Sequence, residues 1–227
     1  MLPESSAELI ALADQIYMSS RKLTQLKRAI ASLQKAVKLK PGNYKLMWRY
    51  ARILSVMARY DKTRGEKWAT QGKVAAAKAI KLNPKGGEGH IYHSICAGIL
   101  GKYRLSEAED LSKEALKSAV QAGNIDPAYS DGLAARIQGA IYLYAPAWPG
   151  GVGDLDEAFE LLTKLVQEHP APENFYYLAE AHRKTEQNRQ AARLYRRVLK
   201  FKARGLWRVE GPLFRRRCRQ HLKQLAR

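Results

Sequence analysis

The sequence predicts an all-α fold, an α-solenoid of about five helix pairs followed by a basic helix at the C-terminal end. Three observations predict it. Four prolines recur at a constant interval of 43 residues, at positions 41, 84, 127 and 170. Apolar residues before them follow helical spacing, as Ala29, Leu33 and Ala36 do before Pro41. Sustained period-two alternation of β-branched residues, which is typical of strands, is nearly absent.

Each of these prolines marks the end of a second helix, because proline cannot continue a helix. Every repeat is therefore expected to hold two helices, in the pattern of the tetratricopeptide repeat of about 34 residues, here lengthened by its loops or helices. We expect a single domain over 1–227. Its predicted repeats are 5–41, 43–84, 87–127, 128–170 and 172–203, and a capping helix is predicted at 211–226.

Two positions carry the signature of a helix start. Ser106 with Glu109, and Asp154 with Glu157, match the capping box, in which the two side chains satisfy free backbone N–H groups of the first turn. Both predict a helix that begins directly after the capping residue. Between the helices of the fourth repeat, the proline- and glycine-rich stretch 146–153 predicts an irregular loop.

The chain is strongly basic, with 40 Lys and Arg, 21 Asp and Glu, and a net charge of +19 over 227 residues. Its charge is uneven: 15–60 holds eleven basic residues and no acidic one, 188–227 holds fourteen and one, and 124–170 holds two and seven. Such a field attracts polyanions and acidic protein surfaces. A hydrophobic content of 46% excludes a disordered basic tail. No apolar run reaches the about 20 residues that a membrane span needs.

Signatures of catalysis, metal binding and cofactor binding are missing from the sequence. The segment 98–102 lacks the spacing of a P-loop, and no nucleophile elbow occurs. His90 and His93 share a predicted helix face, but a metal site needs at least one further ligand. Cys96 and Cys218 are far apart and are expected to be free, buried thiols. We therefore expect no enzyme activity, no metal and no cofactor.

Aromatic residues are dense on the predicted first helices of the pairs, which line the concave surface in tetratricopeptide-type solenoids. Tyrosine and tryptophan supply apolar area with a polar tip, which suits binding of a peptide or a small ligand. Arginines on the same helices can receive a carboxylate through charge-assisted hydrogen bonds. The candidate partner- or ligand-binding residues are Tyr44, Trp48, Arg49, Arg52, Tyr92, Arg136, Tyr144, Trp148, Tyr176 and Tyr177.

Each of these candidates has a structural alternative. About half of the aromatic side chains are expected in the interhelical core, although neighbours such as Tyr176 and Tyr177 point about 100° apart and cannot all lie inside. Trp148 can instead fold back over the edge of the solenoid. The arginines can instead pair within the chain, and their candidate partners are Asp131, Asp154 and Asp156.

The C-terminal stretch combines an apolar stripe with a cluster of arginines. A solenoid must cover its last apolar face, so a capping helix is the structural interpretation. The exposed side of the same helix is a candidate surface for nucleic acid or for an anionic surface. Nucleic acid is not the favoured partner, because no recognised module is visible and few aromatics interleave with the cluster. The candidate polyanion-binding residues are Arg215, Arg216, Arg217 and Arg219.

Several segments resemble known families. The stretches LMWRYARIL (46–54), GKVAAAKAIKLNP (72–84), GGEGHIYHSICAGILG (86–101) and RIQGAIYLYAPAWPGG (136–151) resemble the bacterial family typified by the T-component of TRAP transporters. This resemblance covers 5–203. It implies tetratricopeptide-like repeats, a periplasmic protein, a trimer with an apolar pore through each protomer, and a substrate-binding protein as partner. The stretch 46–84 is also similar to the animal regulators of microtubule dynamics.

Together these features predict a non-enzymatic scaffold that binds another protein, such as a substrate-binding or envelope protein, or an elongated ligand on its concave face. The alternatives are an adaptor for polyanions and a carrier of a small ligand. Contact between the basic C-terminal segment and the acidic fourth repeat of another copy predicts a homo-oligomer. No signal peptide opens the printed chain, which predicts the cytoplasm, or the bacterial periplasm if a leader has been removed.

Overall fold

A computed structural model describes residues 5–19, 23–147, 149–202 and 207–225 of the chain. Within these ranges the regular structure is helical, apart from an isolated parallel β-bridge between Ala147 and Gly153. The chain divides into two compact units, Met1–Asp126 and Pro127–Arg227, which we call the N-terminal and the C-terminal unit. The expectation of one domain over 1–227 stays a prediction.

The N-terminal unit consists of three helix pairs. Each helix packs against the next one, and the first helices of the pairs also pack side by side, α1 on α3 and α3 on α5. Helix α3 is therefore surrounded, and nearly every residue from Leu46 to Ala58 is buried. The six helices are α1 (Ser6–Ser19), α2 (Leu23–Leu39), α3 (Tyr44–Tyr60), α4 (Gly65–Leu82), α5 (Gly87–Leu100) and α6 (Ala108–Ile125).

The C-terminal unit consists of two helix pairs and a final helix. These helices are α7 (Tyr129–Tyr144), α8 (Leu155–Glu168), α9 (Pro172–Lys184), α10 (Asn188–Lys200) and α11 (Trp207–Leu225). Helix α11 packs on α9 and α10 and buries Trp207, Phe214 and Cys218 in the same core cluster as Tyr176 and Tyr195. It covers the last pair as expected of a capping helix, and it starts four residues before the predicted position 211.

The 43-residue period of the prolines has a regular structural basis. Helices α2, α4, α6 and α8 each end two residues before a proline, at Leu39, Leu82, Ile125 and Glu168. The residue directly before proline is disfavoured from helical geometry, and Asn83, Asp126 and His169 have φ angles of −148°, −149° and −132°. The backbone N–H of each still donates to the carbonyl four residues earlier, so the hydrogen-bond ladder of the helix extends to the residue before the proline.

One of the two predicted helix starts is confirmed. Helix α8 begins after Asp154, whose Oδ1 accepts hydrogen bonds from the backbone N–H groups of Asp156 and Glu157 at 3.0 Å each. The backbone N–H of Asp154 donates to the carbonyl of Tyr142 at 3.0 Å. The cap is therefore anchored to α7 at the end of the irregular loop that the sequence predicts.

At Ser106 the predicted helix is present but the predicted cap is wrong. Leu105–Glu107 form a 3₁₀ turn, and α6 begins at Ala108, one residue later than a Ser106 cap implies, with no side-chain cap. Just before the turn, the Arg104 guanidinium donates to Glu66 on α4 at 2.8 Å. This contact joins residues 38 positions apart, which a local sequence pattern does not reveal.

Helix α7 starts with a left-handed turn. Ser130, Asp131 and Gly132 have φ angles of 51°, 58° and 70°, a conformation that costs L-residues roughly 1–2 kcal/mol each. The buried side chain of Asn174 on α9 fixes this turn, since its Nδ2 donates to the carbonyls of Asp131 and His169 at 3.0 and 2.7 Å. The amide therefore joins the start of α7, the end of α8 and α9.

Candidate functional site

The side-by-side packing of α1, α3 and α5 brings several of the predicted site residues together in the N-terminal unit. They form what we call the arginine–aromatic cluster. Its members are Asp14 and Tyr17 on α1, Trp48, Arg49 and Arg52 on α3, and Tyr92 on α5. Trp48, Arg49, Arg52 and Tyr92 were predicted from the sequence, and both α1 residues were not.

A single carboxylate serves both arginines of the arginine–aromatic cluster. The Nε of Arg49 donates to both carboxylate oxygens of Asp14 at 2.9 Å, and the Nη2 of Arg52 donates to Oδ1 at 2.7 Å. Burial acts to raise the pKa of Asp14, but the hydrogen bonds and charges of Arg49 and Arg52 outweigh it and lower that pKa. Asp14 is thus held as an anion, and the three groups together keep one net positive charge.

The Asp14 pairing corrects the partners that the sequence suggested. Arg49 and Arg52 do not pair with Asp131, Asp154 or Asp156, because Asp14 on the neighbouring first helix reaches them. Asp14 lies 35 and 38 residues away in sequence, close to one repeat period. That spacing, together with its place as the last acid before the basic stretch 15–60, is the sequence signal that points toward Asp14.

Aromatic rings enclose the two guanidinium groups. Arg49 lies 4.0 Å from the ring centroid of Trp48, and Arg52 lies 4.0 Å from that of Tyr17. The rings of Trp48 and Tyr92 are nearly parallel, with centroids 6.0 Å apart. Cation–π contacts of this kind contribute about 0.5–2 kcal/mol each, depending on how far the site is desolvated. The aromatic rings therefore hold the arginine side chains in place, in addition to the ion pairs with Asp14.

Two buried donors of the arginine–aromatic cluster have no acceptor among the described residues. They are the Nε of Arg52 and the Nε1 of Trp48. An unsatisfied buried donor costs about 1–3 kcal/mol. The carboxylate of Asp14 is the accessible part of the cluster, with 39% of its side chain exposed against 14% for Arg49 and 11% for Arg52. The cluster thus has more donors than its single carboxylate satisfies.

The remaining predicted binding residues lie elsewhere. Tyr44, at the start of α3, donates its hydroxyl to Glu88 on α5 at 2.7 Å. Arg136 on α7 is buried and donates to the Oδ1 of Asn174 at 2.8 Å, not to one of the predicted aspartates. Trp148 lies outside the described residues, so its predicted placement stays a prediction.

Two of the predicted tyrosines lie at the centre of the C-terminal unit. Tyr176 is only 2% exposed and packs edge-on against Phe214, whereas its neighbour Tyr177 is half-buried. Tyr176 is therefore a core residue of the α9–α11 cluster, as the structural alternative expects, because α11 covers it. The binding role of both tyrosines stays a prediction.

A buried carboxylate organises the same unit. Glu180 on α9 is 2% exposed and accepts hydrogen bonds from the hydroxyls of Tyr144, at 2.6 Å, and Tyr195. Arg183 donates to it at 3.1 Å, and the Nε2 of His221 on α11 lies 3.4 Å away. Burial acts to raise the pKa of Glu180, but these donors outweigh it and lower the pKa. Tyr144 therefore has a structural partner in this buried network.

The four arginines predicted to bind polyanions divide into two kinds. Arg215 is half-buried, donates to the carbonyl of Phe201 and lies 5.5 Å from the ring of Trp207. Arg217 is also half-buried, whereas Arg216 and Arg219 are exposed. Helix α11 therefore directs only part of this cluster to solvent, because the same helix caps the unit.

The structure also locates the thiols. Cys96 and Cys218 are free and buried, as expected, and burial raises the pKa of each to about 12. In the described residues no three His, Cys, Asp or Glu side chains group as metal ligands. No helix within the described ranges combines the length and apolar character that a bilayer span requires.

Comparison with family models gives two matches. Residues 9–121 match regulator of microtubule dynamics protein 1-3, and residues 173–200 match a tetratricopeptide repeat. The first match confirms the similarity expected over 46–84 and extends it across the N-terminal unit. The second lies on α9 and α10. No curated protein matches the chain.

Solved structures share the fold at low sequence identity. A thermophilic tetratricopeptide protein of Thermus thermophilus, TTC0263, is 17% identical with a TM-score of 0.73, over 96% of this chain and 99% of that one. A human IFIT1 dimer with PPP-AAAA is 17% identical with a TM-score of 0.56, over 89% of this chain and 46% of that one. These likenesses confirm the all-α solenoid fold. The chain is a helical-repeat protein of the tetratricopeptide type.

Proposed function

We propose that the chain is a non-enzymatic scaffold that binds an acidic segment of a partner protein at the arginine–aromatic cluster. Repeat proteins of the tetratricopeptide type are protein-interaction scaffolds in general. The cluster supplies the finer part of the proposal, namely the chemistry of the bound segment. A carboxylate, from a side chain or from a chain end, matches the planar fork of a guanidinium group, and the arginine–aromatic cluster already holds one carboxylate in this way.

The observation that carries the proposal is the sharing of Asp14 by Arg49 and Arg52. Two guanidinium groups with one carboxylate leave a positive charge that no second carboxylate of the described residues pairs with in the arginine–aromatic cluster. A second carboxylate, brought by a partner, neutralises that charge. Asp14 itself is on α1, and its side chain is the most exposed of the three. A partner carboxylate that takes its place gains the same hydrogen bonds.

The aromatic neighbours favour a protein segment over a free small anion. Trp48 and Tyr92 stack beside the arginines, and Tyr17 lies beneath Arg52. The guanidinium groups are thereby held in one orientation before a partner arrives, so little side-chain entropy is lost on binding. Partial burial also strengthens the electrostatic attraction relative to that between exposed charges.

The test measures binding of a fluorescein-labelled octapeptide of alternating glycine and glutamate with a free carboxyl end, by fluorescence anisotropy. Arg52→Gln is expected to weaken binding about 10- to 100-fold, since a hydrogen bond to a charged group is worth about 1.5–3 kcal/mol. Asp14→Asn is expected to tighten it, because both arginines lose their internal carboxylate.

The matched control is Arg28→Gln, which removes an exposed arginine of α2 away from the arginine–aromatic cluster. Arg28→Gln is expected to change the affinity for the peptide by no more than about twofold relative to wild type, because isolated exposed charges contribute little. An Arg28→Gln loss as large as that of Arg52→Gln refutes the proposal, and so does the absence of binding by both wild type and Asp14→Asn. The same peptide with glutamine in place of glutamate and an amidated C-terminus serves as the reference without peptide carboxylates.

The narrower role implied by resemblance to the transporter T-component family, association with a substrate-binding protein, stays a proposal within this one. So do binding on the concave face, a homo-oligomer and the small-ligand alternative. The arginine–aromatic cluster lies in the range that matches the regulators of microtubule dynamics, 9–121. A carboxylate-rich partner is compatible with either family.

A further inference from the structure

The exposed face of α10 carries a row of basic side chains. The helix, Asn188–Lys200, contains five basic residues and no acidic one. At about 100° per residue, four of the five fall within about 60° of one another around the helix axis. They are Arg189, Arg193, Arg196 and Lys200. The opposite side of the helix is buried, and its residues are Ala191, Tyr195 and Val198.

All four side chains of this row are exposed, and none forms an ion pair with another described residue. We call them the α10 basic row. The fifth cation, Arg197, is held differently, with its guanidinium 3.8 Å from the ring centroid of Phe175. At a rise of 1.5 Å per residue the row is about 16 Å long, with one positive charge in each turn of about 5 Å.

We propose that the α10 basic row binds the phosphate backbone of double-stranded nucleic acid. The charge of the row fits such a partner, because a duplex presents one negative charge per about 1.7 Å of its axis. Three of the four cations are arginines, whose planar guanidinium groups match phosphate oxygens in a bidentate way. The row lies in the C-terminal unit and recognises phosphate, so it is a site separate from the arginine–aromatic cluster.

The surroundings of the α10 basic row exclude two neighbouring interpretations. Among the described residues after Leu155, no large hydrophobic side chain is exposed. The face therefore has no apolar anchor to insert into a lipid bilayer, which interfacial helices need. It also has no exposed aromatic platform on which bases of a single strand stack. Contacts with the phosphate backbone of a duplex need neither feature and do not depend on base sequence, so a duplex fits this face.

The test measures binding of the full chain to a fluorescein-labelled DNA duplex of 24 base pairs by anisotropy, between 50 and 200 mM NaCl. Four phosphate contacts predict a slope of log affinity against log salt of about −3 to −4, a loss of about 100-fold over this range. The quadruple variant Arg189→Gln, Arg193→Gln, Arg196→Gln, Lys200→Gln is expected to lose this salt-dependent binding. Arg193→Gln alone is expected to reduce the slope by about one.

The matched control removes four exposed lysines from the N-terminal unit in the variant Lys38→Gln, Lys67→Gln, Lys78→Gln, Lys81→Gln. It has the same net charge as the α10 variant and is expected to keep most of the affinity. Equal losses in the two variants overturn the proposal, because they show a general effect of net charge. Circular dichroism and thermal unfolding check that both variants are folded.

Two competing partners give the remaining outcomes. The first competitor is polyglutamate at equal charge, and the second is vesicles that contain phosphatidylserine. If either displaces the labelled duplex as effectively as unlabelled duplex does, the row is a general anion-binding surface and the proposal is overturned. Weaker competition by both supports it. Conversion of the three arginines to lysine is expected to keep the salt slope while lowering the affinity, because the charges remain and the bidentate contacts are lost.

Discussion

Replacing Glu180 by glutamine removes a negative charge from the interior of the C-terminal unit and nearly preserves the size of the side chain. The carboxylate is 2% exposed and accepts from the hydroxyls of Tyr144 and Tyr195 and from the guanidinium of Arg183. His221 on α11 lies 3.4 Å away. These partners lie on α7, α9, α10 and α11, so the substitution disturbs a contact point shared by four helices.

The expected cost follows from the geometry of these contacts. Removing one partner of a buried ion pair typically costs about 3–5 kcal/mol. Arg183 lowers this cost, because 31% of its side chain is exposed and it can turn toward water. The tyrosine hydroxyls also rotate and accept from the new amide. We therefore expect Glu180→Gln to lower the free energy of unfolding by about 3 kcal/mol at pH 7.

The pH dependence has a definite sign. The pKa of Glu180 is lowered in the folded protein from its ordinary value of 4.5. The ionised group therefore stabilises the folded state above pH 4.5, and this contribution is lost as the pH falls through the lower, folded pKa. The difference between wild type and Glu180→Gln is expected to be largest near neutral pH and to shrink in acid.

Urea unfolding at pH 7 and at a series of acidic pH values, followed by circular dichroism, measures this difference. Glu160→Gln on α8 is the matched control, because Glu160 is exposed and its loss is expected to cost less than about 0.5 kcal/mol. Two results refute the reasoning: a cost of Glu180→Gln within experimental error of that of Glu160→Gln, or a difference that does not shrink below pH 4.5.

Two further predictions concern backbone conformation and packing. Glu186 follows α9 with a φ of 59°, so Glu186→Gly is expected to raise the free energy of unfolding by about 1 kcal/mol in urea titrations. Lys184→Gly, at the last residue of α9, is expected to lower it by up to about 1 kcal/mol, and the same sign for both variants contradicts this account. A Cβ atom added at Gly72 would lie 2.6 Å from the Sγ of Cys96, so Gly72→Ala is expected to lower the free energy of unfolding by about 1–3 kcal/mol. Adding Cys96→Ala makes room for the methyl group and is expected to recover most of that loss, and a purely additive double variant shows that the sulfur contact is not the cause.

The period of the fold could be predicted from the sequence because it depends on covalent geometry. Proline fixes its own φ angle and disfavours helical geometry in the residue before it, whatever surrounds the chain. The ends of α2, α4, α6 and α8 consequently follow from positions 41, 84, 127 and 170. At α6 the helix follows the expectation but the Ser106 cap does not, because a 3₁₀ turn over Leu105–Glu107 precedes the helix.

The candidate site could be predicted only in part, because one of its charged members comes from a distant part of the sequence. Residue type and helix position predicted four members of the cluster, namely Trp48, Arg49, Arg52 and Tyr92. The carboxylate that the sequence analysis did not identify, Asp14, is on another helix pair. Contacts between successive repeats join residues about one period apart, as in Tyr44–Glu88 at 44 residues and Arg49–Asp14 at 35. The period thus narrows the search for a partner without identifying it.

The burial of the aromatic residues is the second feature of the candidate site that could not be predicted from the sequence. Helical periodicity separates one face of a helix from the other only where a helix has an exposed face. Helix α3 is packed against α1, α2, α4 and α5, so most of its residues are buried. Trp48 is therefore 6% exposed, although Lys45, three residues earlier on the same helix, is exposed.

The way each helix stops before its proline determines which changes in chain length the fold can accommodate. At each proline, the preceding residue donates its backbone N–H within the last turn of the helix, and the next helix starts two or three residues after the proline. A duplication or deletion of 43 residues between two of these prolines, such as 42–84, therefore joins one helix end to an equivalent helix start. Insertion or deletion of one whole period of 43 residues is expected to leave the start and end of every remaining helix in place. An insertion or deletion of any other length is not.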